Sequence, residues 1–336
     1  MDTERSDAAV YNVWVGISRL PARVDIGNQV MLLAVAEFVI ITSPLFLVGL
    51  ISKVKALWGG RRGAPVVQPY FDFLKLMGKG EIISTVTSPV FRIAPSVGIA
   101  ATLFALFILP VPVLGSVFHF EGDFVLFAYL LGMAKFVMVL AALDTGSSFE
   151  GIGASREVTY STIVETAFFV VIGSLALLTS HFSFETIFAS VNMVAGYSPL
   201  VKILLLASLF IMLLAEGSRV PVDDPNTHLE LTMIHEVMVL DYSGPDLTFI
   251  QYTVSLKMTI IAILMADLLV PSSTPPIPAL GLFAVIVVSV FLLVGAVESL
   301  IARSRISHIP QFLFLMTTFS LTAFAVAAFF LFGGVK

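Results

Sequence analysis

Residues 279–301 read ALGLFAVIVVSVFLLVGAVESLI, a run whose one charge is Glu298. At 1.5 Å per residue, a helix of that length crosses a hydrocarbon core of about 30 Å. The run does not alternate apolar and polar residues, as a transmembrane β-strand must. In lipid, a lone segment satisfies its backbone hydrogen bonds only as a helix. Similar runs lie at roughly 29–51, 90–112, 124–143, 157–180, 199–216, 249–271 and 311–333. The pattern predicts an all-α integral membrane protein with about eight transmembrane helices, forming a single membrane domain over residues 1–336. The composition agrees. Hydrophobic residues make up 58% and charged residues 12%, about half the charged share of soluble domains, and the mean hydropathy is +1.00.

Residues 1–28 are mixed in character, with acids at Asp2, Glu4 and Asp7. A signal peptide would open with basic residues, so the first apolar run reads as a retained helix. The orientation follows from Lys and Arg. With eight spans, loops 52–89, 144–156, 217–248 and 302–310 share one side. They carry Lys53, Lys55, Arg61, Arg62, Lys75, Lys79, Arg156, Arg219, Arg303 and Arg305, whereas loops 113–123, 181–198 and 272–278 have no Lys or Arg. The long loops are therefore expected in the cytoplasm, both termini outside, and the chain in the cytoplasmic (inner) membrane.

There is no cysteine, which rules out Cys-ligated iron–sulfur clusters and disulfides in this chain. The chain shows no nucleophile–base arrangement, so no catalytic residue is expected. His228 and His235 share a helix face two turns apart. Their spacing matches no zinc signature, and interface or capping roles fit them better than metal. The glycine-rich loop 144–156 lacks the lysine and spacing of a phosphate loop. Its glycines suit close approach of another backbone. Nucleic acid is not an expected partner.

Charges inside spans cost about 2.5–3.5 kcal/mol each at the helix centre. Glu37, Lys135, Glu165 and Lys257 lie within spans, and Asp267 and Glu298 lie near span ends. Transporters use such groups as relays for protons or other ions. The competing reading is that Lys–Glu pairs merely fix helix packing. In the loop 217–248, Pro225, Asn226 and Thr227 look like a helix start. Leu229, Thr232, Met233, Glu236 and Val237 then recur at helical spacing until Ser243-Gly244-Pro245. Glu216, Asp223, Asp224, Glu230, Glu236 and Asp241 cluster in and around this predicted surface helix, where acids raise one another's pKa. In the loop 52–89, residues 70–77 form a short amphipathic segment, with Phe71, Leu74 and Met77 expected inward and Asp72 and Lys75 facing a polar surface. Three shaped loops on one face suggest a docking platform for a soluble module.

The run Arg62-Gly63-Ala64-Pro65, with Gln68-Pro69, Asp72 and Lys75-Leu76, resembles the first cytoplasmic loop of the respiratory complex I subunit 1 family, found in NADH-quinone oxidoreductases. The stretches Leu143-Asp144-Thr145-Gly146-Ser147 and Gly153-Ala154-Ser155-Arg156-Glu157 resemble one branch of it, the membrane subunits of formate hydrogenlyase and hydrogenase-4. Pro221-Val222-Asp223-Asp224-Pro225 and Asp241-Tyr242-Ser243-Gly244-Pro245 fit the same branch. The resemblance covers nearly the whole chain. It implies a non-catalytic membrane subunit of a group 4 membrane-bound [NiFe]-hydrogenase-like complex. Such a subunit would anchor hydrogenase-like large and small subunits and begin a polar path toward antiporter-like membrane subunits.

By motif position, Glu157 and the acids from Glu216 to Glu236 would belong to that path, with Glu37 as a further match. The implied proton path is Glu37, Lys135, Glu157, Glu165, Glu216, Asp223, Asp224, Glu230, Glu236 and Lys257. The implied docking surface is Arg61, Arg62, Gln68, Asp72, Lys75, Asp144 and Arg156. No cofactor is expected in this chain, and the partners would carry the Fe–S clusters and a NiFe centre. Two features depart from the complex I members. Gly59-Gly60-Arg61-Arg62 replaces their glycine-asparagine-arginine sequence, and the acidic run of the fifth loop is thinned. A quinone-site subunit is therefore the alternative, with a predicted apolar tunnel between the first and sixth spans.

Overall fold

The computed structural model describes residues 26–191, 199–223, 233–302 and 305–332. Among these, the regular structure is helical apart from one isolated bridge between Val111 and Gly115. The chain order is α1 (Ile26–Thr42), α2 (Pro44–Trp58), α3 (Gln68–Met77), α4 (Pro89–Ile108), α5 (Asp123–Asp144) and α6 (Ser148–Thr179). There follow α7 (Phe184–Val191), α8 (Pro199–Glu216), α9 (His235–Met238), α10 (Gly244–Leu269), α11 (Pro276–Leu300), a 3-10 turn (Ile306–His308) and α12 (Ile309–Phe332). Among the described residues, seven helices are long and apolar enough to cross a membrane, and the bent pair α1–α2 brings the number to eight when it is counted as one span. This is the all-α multi-pass architecture expected from the apolar runs.

Helix α10 is the hub. Of its membrane window 89% is buried, against 28–50% for the other single-helix spans. It packs on α2, α3, α4, α8 and α11. Helices α4 and α5 pair along one flank, and α12 lies against α6 and α8 on another. The core of Leu256, Ile260, Ile261, Leu264 and Leu268 on α10 meets Leu205, Leu209 and Leu213 of α8.

The first span is broken, a feature its continuous apolar run hides. Helices α1 and α2 meet at 47°. Pro44 has no N–H, so the Ile40 carbonyl loses its normal helical donor, and Ser43 Oγ donates to it instead at 3.0 Å. The next two carbonyls take hydroxyls from other elements. Tyr252 of α10 donates to Ile41 O at 2.5 Å, and Tyr70 of α3 donates to Thr42 O. Phe73 packs edge-on against Tyr252, with ring centroids 6.0 Å apart. These contacts tie the loop helix α3 to the break.

They also orient α3 differently from expectation. Tyr70 and Phe73 pack against the core, while Phe71 and Leu74 are exposed at 58% and 66%. The tyrosine bond to the broken span rotates the helix away from the face its apolar pattern suggests.

The glycine-rich stretch read as the loop 144–156 is helical from Ser148. Helix α6 is thus about 48 Å long at 1.5 Å per residue, longer than a hydrocarbon core of about 30 Å. Glu150 in the first turn suits the positive end of the helix dipole. On the opposite face of the protein, α7 is a short helix whose Phe184, Ile187, Phe188 and Val191 are buried. It starts where Asp123 accepts hydrogen bonds from Ser183 Oγ at 2.6 Å and Phe184 N at 2.9 Å.

Candidate functional site: a buried lysine–glutamate cluster

Four helices bring five charged side chains together. Lys135 comes from α5, Glu157 and Glu165 from α6, Glu216 from the end of α8, and Lys257 from the middle of α10. Glu157 and Glu165 are eight residues apart, which places them near one face of α6 two turns from each other. Glu216 is the centre. Its Oε1 accepts a hydrogen bond from Lys135 Nζ, and Lys257 Nζ lies 4.0 Å from its Oε2. A carboxylate at a helix C-terminus faces the negative end of the dipole, so two ammonium groups compensate what α8 opposes. Glu157 and Glu165 act electrostatically on both lysines. Two lysines against three glutamates leave the cluster one carboxylate in excess of its ammonium groups.

Two cavities adjoin this cluster, and a third borders one of them. A cavity of about 220 Å³ lies between α2, α3, α10 and the segments 217–219 and 235–239. A second, of about 20 Å³, is walled by Lys135, Glu157, Tyr160, Glu216, Ser218 and Asp223 among others. Ser218 borders both. A third, of about 70 Å³, is lined by Tyr129, Gly132, Lys135, Glu165, Phe169 and Glu216 among others. Lys135 and Glu216 border the second and the third. A polar line therefore runs from the 220 Å³ cavity through the lysine–glutamate pair to Glu165, which is exposed on the flank of α6.

The segment that closes the site is held by backbone contacts. Asp223 Oδ2 accepts from Ile234 N and His235 N, each at 3.0 Å, capping α9. Arg156 Nη1 donates to Met233 O at 2.9 Å, and Glu150 Oε1 accepts from Asp241 N at 3.1 Å. A Cβ at Gly153 would stand 3.0 Å from Ile234 O and 2.3 Å from Val237 Cγ1. Its missing side chain lets α6 take α9 at contact, the close backbone approach expected of this stretch. Tyr242 stacks on Phe91 with centroids 4.0 Å apart and donates to Phe91 O at 2.8 Å. Burial pushes the Tyr242 hydroxyl well above its usual range.

Two titratable groups of this segment line the 220 Å³ cavity. Burial, with repulsion from Asp223, raises the Glu236 carboxyl to about 7, against the opposing pull of Arg219. Burial, with repulsion from Lys257, lowers His235 to about 4. Glu236 is thus protonated below neutral pH and ionised above it, and His235 is neutral throughout that range. We expect a carboxyl stretching band that fades with a midpoint near pH 7 and is absent in Glu236→Gln. Arg219→Met should move the midpoint upward. Infrared titration of the purified protein checks both.

Of the residues expected on a proton path, Lys135, Glu157, Glu165, Glu216 and Lys257 converge, and Glu236 borders the adjoining cavity. Asp223 is 1% exposed, and its bonds to Ile234 N and His235 N cap α9. Glu37 is buried on α1, with Oε2 unpartnered among the described residues, and lines none of the three cavities. Asp224, Glu230, His228 and the predicted helix start at 225–227 lie outside the described residues, as does Arg303. Among the docking residues, Arg61, Arg62, Asp72 and Lys75 are exposed, and Gln68 Nε2 donates to Asp72 Oδ1 at 2.9 Å. Asp144 and Arg156 are turned to internal duty. Asp144 Oδ2 accepts from Ser88 N at 2.6 Å, and Arg156 braces Met233.

Glu298 joins Lys55 at 2.8 Å and Arg219 at 3.6 Å, stapling α11, α2 and the loop after α8. Asp267 is 4% exposed, with both oxygens unpartnered among the described residues. The contributors that sequence reading missed are Ser218, Tyr70 and Tyr252, while His235 reads there only as an interface or capping residue. No group of three or more His, Cys, Asp or Glu among the described residues is placed to hold a metal ion.

The family profile described as NADH dehydrogenase matches residues 30–329. The chain belongs to the NADH dehydrogenase family. Among relatives in this family, Hydrogenase-4 component C of Escherichia coli (strain K12) is 31% identical over 301 residues, covering 87% of this chain and 93% of its own. Formate hydrogenlyase subunit 4 of the same organism is 27% identical over 283 residues, covering 82% and 91%. A chain of the membrane-bound sulfane sulfur reductase, an archaeal respiratory membrane complex, shares the fold with a TM-score of 0.75 at 22% identity, over 89% of this chain and 98% of its own. The resemblance read from the loop motifs therefore holds, and so does the branch, since both named E. coli relatives come from it. The match to the NADH dehydrogenase family, over residues 30–329, takes in the bent pair α1–α2 and reaches into α12.

Proposed function

We propose that the chain is the membrane-anchor and proton-path subunit of a multi-subunit membrane-bound [NiFe]-hydrogenase or formate hydrogenlyase-like complex. In this reading it docks a soluble redox module and couples that module's electron transfer to proton or sodium translocation. The observation that carries the reading is the Lys135–Glu216–Lys257 cluster, linked on one side through the Ser218-lined 20 Å³ cavity to the 220 Å³ cavity and on the other to Glu165. A purely structural set of ion pairs has no need of adjoining cavities. Hydrogenase-like large and small subunits, carrying Fe–S clusters and a NiFe centre, dock on the basic loops facing the cytoplasm. Reduction of that module changes the field at α9 and Glu216, and the cluster answers by taking up or releasing a proton.

The flank at Glu165 supports a second partner. A charge facing lipid near a helix centre costs about 2.5–3.5 kcal/mol, so an antiporter-like membrane subunit covers this face and receives the ion there. The protein sits in the cytoplasmic membrane with both termini outside.

One observation favours the alternative of a quinone site. The 220 Å³ cavity lies between α2 and α10, where the tunnel is expected. Its volume is below the roughly 300–1,000 Å³ of ligand pockets, and Asp72, Arg219, His235 and Glu236 line it, which suits water better than a quinone tail. Photolabelling with a quinone analogue separates the two, since only the alternative places label on Leu45, Val48 or Tyr252. The leading reading is tested by mild-detergent purification of the tagged chain from its own membranes, with metal analysis. Hydrogenase-like subunits with nickel and iron are the expected companions. A stable lone chain would contradict it.

A further inference from the structure

His235 opens α9 and lines the 220 Å³ cavity, beside residues 217–219 that directly follow Glu216. Its position is set by the backbone. The His235 N–H is held by Asp223 Oδ2, and α9 is seated on Gly153. The ring is not held in the same way. Its Nε2 is sealed from solvent and has no hydrogen-bond partner among the described residues. Buried polar atoms are normally paired, and an exception calls for a reason. The charged groups acting on the ring are Lys257 from α10, Asp223 from the preceding loop, Glu216 from α8 and Lys135 from α5. These include all three members of the central cluster.

We propose that His235 is a proton-transfer residue, carrying protons between the 220 Å³ cavity and Glu216. One ring nitrogen takes a proton borne by cavity water as the other gives up its own toward the Glu216 carboxylate. One proton enters the ring and one leaves it, no electron moves, and rotation of the ring resets the tautomer. Burial and the nearby lysines lower His235 to about 4, so the ring is neutral at neutral pH and the transfer runs between its two neutral tautomers. The cavity has room for several waters to deliver that proton. A capping histidine would instead show a bonded ring. This inference rests on the proton-path reading and adds the element that feeds the cluster.

The test uses the intact complex purified with its partners and sealed in vesicles. It records protons moved per electron transferred for the parent, His235→Ala, His235→Gln and Glu216→Gln. We expect His235→Ala and His235→Gln to slow proton movement about a hundredfold, the scale of one lost acid–base group, and so to lower the ratio well below the parent's. Added imidazole, small enough for the cavity, should restore His235→Ala and leave His235→Gln low, since its side chain fills the space. A parental ratio in either variant overturns the inference. So does an assembled His235→Ala complex that imidazole fails to rescue, and so does failure of both variants to assemble, which would make the residue structural. If Glu216→Gln also keeps the parental ratio, the proton-path reading falls. If Glu216→Gln loses it and His235→Ala does not, only the role of His235 falls.

Discussion

Glu216→Gln is expected to abolish proton movement and to lower stability by about 3–5 kcal/mol, the cost of breaking a buried ion pair by removing one partner. Among the described residues, Glu216 is the one carboxylate within 4.0 Å of both Lys135 and Lys257. The amide keeps the shape but loses the charge, so two ammonium groups are left facing one another in a poorly solvated site. Like charges there repel far more strongly than in water. The change should appear as a lower unfolding temperature in detergent and as lost acidification or alkalinisation in vesicles. Lys257→Met in the same background should recover part of the stability, because it removes one of the two unpaired cations and the repulsion between them, without recovering proton movement. Recovery of both would mean that the cluster is only a staple between α5, α8 and α10.

The second large effect lies at a residue without a side chain. A Cβ at Gly49 would stand 1.8 Å from the carbonyl oxygen of Val66 and 2.8 Å from its carbonyl carbon. Neither is the yielding end of a side chain. Helix α2 cannot retreat easily, since Val54 and Ile51 pack against Gly295 of α11. Gly49→Ala must therefore push out the segment 63–68, and α3 with it. The Tyr70 bond to Thr42 and the Phe73–Tyr252 contact would go, opening one wall of the 220 Å³ cavity. We expect a loss of about 3 kcal/mol, the upper part of the range for overpacking. Faster hydrogen exchange over 60–78 and weaker retention of the soluble partners should accompany it. Parental exchange rates there would show that α3 is anchored by other contacts.

The spans are legible in the sequence because lipid demands an apolar surface along each helix, and that demand is written continuously. The break at Ser43–Pro44 is not, because both halves are equally apolar. Pro44 is its signal, and the two tyrosines that complete it come from distant segments. The charges of the cluster are legible one by one, since Lys135, Glu165 and Lys257 stand out in apolar runs. Their convergence on Glu216 depends on which helices neighbour each other, and no periodicity encodes that. Asp144, Asp223 and Arg156 look like surface or path groups because polar residues in a loop all look exposed. Their side chains instead bond backbone atoms of other segments, where the loop polar groups must be satisfied. His235 looks in the sequence like a capping or interface residue, no different from His228. What distinguishes it is a ring nitrogen left unpaired beside a cavity, a property of packing alone.

The most direct measurement of the central claim is redox-triggered infrared difference spectroscopy on the intact complex. The account expects reduction of the docked module to produce a carboxyl difference band that is lost in Glu216→Gln and altered in Glu157→Gln. A spectrum without such a band, or with one indifferent to both substitutions, would show that electron transfer does not change the protonation of this cluster.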